Sequence, residues 1–139
     1  MTTRSSFKAA VATAVEALKA TWSDYALVVE YDNRLIVDTQ SQTNPFLCVH
    51  IYYVGGEQAS LGQATKHHRV YGSLVLSAAV KEGAGDEKAN DLLQHFYPSL
   101  HMTTIDGART WGAVPSKERA HRGWVYYPVV IPFDFDNIS

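Results

Sequence analysis

The stretch that most constrains this fold is Arg122 to Asp136, reading Arg-Gly-Trp-Val-Tyr-Tyr-Pro-Val-Val-Ile-Pro-Phe-Asp-Phe-Asp. Its odd positions Val125, Tyr127, Val129, Ile131, Phe133 and Phe135 are all apolar, while the even positions Tyr126, Pro128, Val130, Pro132, Asp134 and Asp136 are mixed. Alternation of this length predicts one long β-strand with a single buried face. Pro128 and Pro132 share the other face. Proline has no N–H for a ladder, which predicts a strand at the sheet edge or with an unpaired end. A long open edge invites pairing with another chain, so assembly comes before catalysis among the functional expectations.

The 139 residues fit one domain, 1–139, and a chain of this length buries roughly two thirds of its unfolded surface. A hydrophobic share of 46% and a charged share of 19% belong to a globular chain, not a disordered one. A formal net charge of −2 argues against a basic nucleic-acid footprint. The single Cys48 excludes an internal disulfide; within Phe46-Leu47-Cys48-Val49 it reads as a buried, inert thiol. There is no apolar leader, and no run approaches the ~18 apolar residues of a membrane span, so the expected setting is a reducing cytoplasm.

Phe7, Ala10, Val11, Ala14, Val15 and Leu18 form one stripe and predict a helix over Ser6–Ala20, capped by Ser5 or Ser6. Tyr25–Tyr31 reads as a short buried strand, followed by an Asp32-Asn33 turn and a polar loop over 38–44. Phe46–Val54 is apolar on both faces, as in a central strand, and Gly55-Gly56 is expected to break it. Glu57–Leu61 reads as a return strand or loop, and Gly62–Lys66 as a polar link. His67–Val80 reads as a long strand whose even positions face the core, with Gly72 marking a bulge or a close backbone approach. A second helix runs from Asp86 to Tyr97, where Pro98 is expected to stop it. Thr103–Ile105 and Ala108–Val114 flank Asp106-Gly107 as a hairpin, and Pro115–Ala120 is a polar connection. This order predicts an α+β fold: a mixed, mainly antiparallel β-sheet with two helices packed on one face.

The titratable residues carry no familiar catalytic pattern. His67 and His68 are strand neighbours and point to opposite faces, and His50, His95, His101 and His121 lack metal-ligand spacing. Cys48 has no activating neighbours, there is no Gly-x-Ser-x-Gly elbow, and the Gly-Gly and Gly-Ala-Gly turns are too short to cradle phosphate. Asp134 and Asp136 share a strand face and read as a solvated strand end in preference to a catalytic pair. No catalytic residue, metal or cofactor is therefore expected. Arg109, Trp111, Arg119, Arg122 and Trp124 lie close in sequence, and Arg with aromatics suits a protein-partner surface.

An Ala-rich first helix precedes Pro45-Phe46-Leu47-Cys48-Val49, a break at Gly55-Gly56-Glu57-Gln58, and Arg69-Val70-Tyr71-Gly72-Ser73-Leu74 before a helix ending near Phe96. This arrangement resembles the tail terminator family of long-tailed phages and prophages, the lambda-like tail-tube capping proteins. The resemblance spans residues 5–135 and rests mostly on Pro45–Phe96; the segment 20–44 and the loop 107–121 lie outside it. It implies an α+β fold, a homo-oligomeric ring (a hexamer on the tail tube) and no catalysis. The implied partners are sister subunits, the tail tube protein and a head completion or connector protein. DNA only passes through the channel, and no membrane is involved. The implied location is the host cytoplasm during assembly and then the virion tail.

On this reading, copies meet through Glu57, Gln58, Gln63, Lys66, His67 and Arg69, and the tube or head partner meets Arg109, Trp111, Arg119 and Arg122. The alternatives are another phage neck or head–tail joining protein, and a small ligand-binding or enzymatic domain with a pocket lined by Tyr52, Tyr71 and Trp124.

Overall fold

The computed structural model describes residues 2–31, 42–58 and 67–138. Helix α1, Arg4–Ala20, starts two residues earlier than its stripe suggests. Thr3, not Ser5 or Ser6, is the cap. Ser6 N–H donates to Thr3 Oγ1 at 3.0 Å while Thr3 N–H donates to Ser6 Oγ at 2.8 Å, so two otherwise orphaned donors are satisfied reciprocally. Helix α2, Glu87–Leu100, runs through Pro98. Pro98 and Gln94 are exposed, so water can serve the carbonyl that the missing N–H leaves free. His101 N–H then closes the helix on the Tyr97 carbonyl at 3.1 Å.

The strands among the described residues are β1 (Val29–Tyr31), β2 (Phe46–Gln58), β3 (His67–Lys81), β4 (Thr104–Ile105), β5 (Ala108–Thr110), β6 (Val114–Pro115), β7 (Arg119–His121) and β8 (Trp124–Ile138). They form one sheet in the order β1-β2-β3-β8-β5-β4, with β6 and β7 also on β8. Only β1 with β2 is parallel. β4 and β5 form the expected hairpin about Asp106-Gly107, whose φ values of 51° and 82° are those of a tight primed turn. The strand expected over Tyr25–Tyr31 shrinks to three residues, and the expected 115–120 connection contains the start of β7.

β8 is an interior strand, which corrects the edge assignment. It pairs with β3 along its whole length, from Lys81↔Trp124 to His67↔Ile138, and with β5, β6 and β7 on its other side. The prolines are tolerated because of which side they face. Trp111 N–H donates to the Pro132 carbonyl at 2.8 Å and Ser116 N–H to the Pro128 carbonyl at 3.0 Å. In a strand, N–H and C=O of one residue point the same way, so the absent donors face the short strands. There the ladder is already broken into pieces, and the β3 side stays intact.

Gly55-Gly56 does not end β2. The register shifts between Tyr53 and Gly55, then pairing resumes from Gly55↔Tyr71 to Gln58↔His68. A bulge absorbs one extra residue, while continuous β3 goes on supplying ladder partners.

Both helices cover one face of the sheet. Phe7, Val11 and Val15 of α1 join Ala89, Leu92, Phe96 and Leu100 of α2 in one buried cluster. The sheet contributes Val70, Leu74, Leu76, Ala78 and Val80 from β3, and Val129, Ile131, Phe133 and Phe135 from β8. These are the even and odd faces read from the sequence, and the fold is α+β. Gly72 is a close-approach glycine. A Cβ there would lie 2.5 Å from Phe133 Cζ and would also strike the Tyr52 carbonyl oxygen. Phe133 in turn packs on Phe7 at 4.4 Å between ring centroids.

Candidate functional site: the open face of the sheet

Among the described residues no helix covers the other sheet face. Cross-strand partners share a face, so the register places Glu30, Cys48, Ser77, Tyr126 and Arg119 on it. At one end Phe46, Cys48, Ala79 and Trp124 form a second small core, with Phe46 and Trp124 edge to face at 5.0 Å. Beside it, Glu30 from one sheet edge and Arg119 from the β7 side line the same cleft, so the sheet curls over this face. The cleft encloses about 400 Å³, with Cys48, Ser77, Tyr126 and Pro128 among its lining and Lys117, Arg119 and His121 along one wall.

The electrostatics follow from that packing. Burial, then the Glu30 charge, pushes the Cys48 thiol up to about 12, with Arg119 pulling it back. Cys48 is thus the inert thiol expected. Burial, then Cys48 and Glu30, also raises the Tyr126 phenol, and Arg119 again opposes.

Toward the far end of the strands the open face becomes an aromatic belt. Tyr52 is 56% exposed, Val54 80%, Trp111 46% and Val114 57%, with Tyr71 at the exposed margin. By register, half-buried Val75, Val130 and Pro132 lie on the same face between Tyr52 on one side and Val114 on the other. Polar partners frame the belt. Arg69 pairs with Asp136 at 3.2 Å, Trp111 Nε1–H donates to Asp134 at 2.9 Å, and Arg109 lies 5.3 Å from the Trp111 ring. Asp134 and Asp136 thus serve separate partners and do not form a carboxylate pair.

Arg69, Arg109 and Trp111, anticipated as interface residues, therefore come together on one face. Arg119 lies on that face but in the cleft, and exposed Arg122 sits in the β7–β8 turn at φ 51°. Glu57, Gln58 and His67 lie at the far end of the β2–β3 ladder. Gln63 and Lys66 fall outside the described residues. The pocket anticipated from Tyr52, Tyr71 and Trp124 does not form, because Trp124 is buried in the small core. Glu30, Cys48, His50, Lys117, His121 and Tyr126 were not singled out together; the one legible signal was the alternation of Lys117, Arg119 and His121.

Among the described residues no cluster of three or more His, Cys, Asp or Glu could hold a metal ion, and no helix is long and apolar enough to cross a membrane. These features define a curled, mostly antiparallel α+β protein with one helix-covered face and one open face. No protein-family model matches the chain, and no curated protein matches it in sequence. One solved structure, whose name carries no functional description, is similar with a TM-score of 0.67 at 12% identity, covering 96% of this chain and 96% of that chain. At that identity the likeness is one of fold alone.

Proposed function

We propose that this protein is an assembly subunit, the tail terminator of a long-tailed phage or prophage. It closes into a ring, a hexamer on the tube end, stops tube polymerisation and offers the joining surface to the head. Its partners are sister subunits, the tail tube protein and a head completion protein, and DNA passes through the ring.

The observation that carries this reading is the open aromatic belt, with Tyr52, Val54, Trp111 and Val114 all exposed on or beside one sheet face. Large apolar side chains left exposed together on one sheet face favour an interaction site. Its Arg, Trp and Tyr content is that of a protein interface core. A closed ring needs two different complementary surfaces on each subunit, and a belt on one face supplies one of them.

The test is electron microscopy of particles made without the protein. Overlong tubes support termination. Tubes of normal length that fail to join heads point to a neck adaptor instead, and normal joined tails defeat both readings. The cleft beside the belt favours a second reading, a ligand-binding domain.

A further inference from the structure

The cleft lies beside the belt and is chemically different from it. Arg119 and His121 pair in register with Tyr126 and Trp124, so both side chains leave β7 on the open face. Lys117 lines the same wall. All three are exposed, and none takes part in an ion pair among the described residues. Across from them stand His50 and Tyr52, whose rings stack at 5.9 Å with 29° between planes. Ser77, Ser116 and Tyr126 belong to the lining, and among the described residues Glu30 is its one carboxylate.

Two cationic side chains with hydroxyl groups around them match a tetrahedral dianion, since charge-assisted hydrogen bonds are the strong ones. Arginine supplies the planar fork and lysine a mobile point charge. The stacked His50 and Tyr52 rings give the cleft an aromatic side, which suits a ring on the same molecule. A volume of about 400 Å³ lies within the ordinary range for small-molecule clefts.

We propose that this cleft binds a small phosphate monoester carrying a flat ring, its phosphate held by Lys117 and Arg119 and its ring seated on His50 and Tyr52. The site shares Tyr52 with the belt and Arg119 with the expected partner surface, yet ligand binding there does not require the assembly reading.

The experiment is a calorimetric titration of the full-length chain with adenosine monophosphate, ribose 5-phosphate and adenosine. Amide chemical shifts are followed in parallel. The expected result is saturable binding of adenosine monophosphate, weaker binding of ribose 5-phosphate, and none of adenosine. Shifts should concentrate at residues 117–121, His50 and Tyr126. The double variant Lys117→Gln, Arg119→Gln should weaken binding by about tenfold or more, while Arg122→Gln leaves it unchanged. Unchanged circular dichroism of both variants confirms that folding is not what was lost. The proposal is overturned if adenosine binds as well as its monophosphate, if no ligand saturates, or if the double variant binds as the parent does. Light scattering of the same variants separates this outcome from the assembly reading.

Discussion

Replacing Gly72 by alanine inserts a methyl group where β2, β3 and β8 already touch. The backbone at Gly72 is not in the left-handed region, so only space opposes the change. The new Cβ would lie 2.5 Å from Cζ and 2.9 Å from Cε2 of Phe133. Carbon atoms in contact prefer about 3.5–4.0 Å, so the ring must retreat by roughly 1 Å. It is hemmed in by Phe7 at 4.4 Å and Tyr53 at 5.8 Å between centroids. The second obstacle, the Tyr52 carbonyl oxygen, belongs to the main chain beside the β2 bulge and yields still less. Overpacking of a filled core costs about 1–3 kcal/mol, and a backbone clash places this case at about 3. For a chain of this size that lowers Tm by roughly 10 °C. Urea denaturation followed by circular dichroism measures it, with the slope checking that the denatured state is unchanged. A double-mutant cycle isolates the ring: in a Phe133→Leu background, Gly72→Ala should cost about 1–2 kcal/mol less, the remainder coming from Tyr52. A Gly72→Ala variant within about 0.5 kcal/mol of the parent, or an equal cost in both backgrounds, would refute the steric argument.

Four further outcomes are expected. Thr3→Ala should cost about 1 kcal/mol in urea melts, and adding Ser6→Ala should cost much less than a second such amount, because the two residues form one reciprocal cap. Cys48 should resist Ellman's reagent until the chain unfolds. Its folded pKa of about 12 lies above the ordinary 9.0, so its contribution to stability is complete below 9.0 and declines as pH rises from there through about 12. Tyr25, also pushed up to about 12 by burial and then by Asp24, shares that alkaline limb, so Cys48→Ala should flatten it only in part. Trp124→Ala, at a 2% exposed site against Phe46, should cost about 3–5 kcal/mol by denaturation, showing that the open face has a true core at one end. Tyr52→Ser with Val54→Ser should change monomer stability by about 0.5 kcal/mol or less while reducing self-association in light scattering; a large loss of stability would mean the belt serves the fold instead of a partner.

Faces were legible in the sequence, and neighbours were not. The periodicities of α1, α2, β3 and β8 identified which side chains enter the helix-covered core, because period is a local property of a strand or helix. Pairing is non-local, and the rules for proline and glycine misled wherever a distant partner decided the outcome. Pro128 and Pro132 suggested an edge, yet the strands beside them are short enough to leave gaps at those donors. Gly55-Gly56 suggested a break, yet β3 carries β2 onward. Pro98 suggested a stop, yet an exposed last turn tolerates it. The belt was partly visible, since Arg109 and Trp111 are near neighbours in sequence. The cleft was not, because Glu30, Cys48, Ser77, Arg119 and Tyr126 come from five strands that meet only when the sheet curls.

The two proline carbonyls of β8 act as isolated mooring points for the segment after β5. Trp111 and Ser116 each tie to one of them, and between the two only the two-residue strand β6 pairs with β8, at Val130 and Val129. Between those moorings Ala113 N–H donates to Nδ1 of His101, the residue that caps α2, so this segment is also tied to the helix layer. Exchanging the exposed side chains of Val114, Lys117 and Glu118 would therefore refit the surface this chain presents while the β3–β8 ladder keeps its frame.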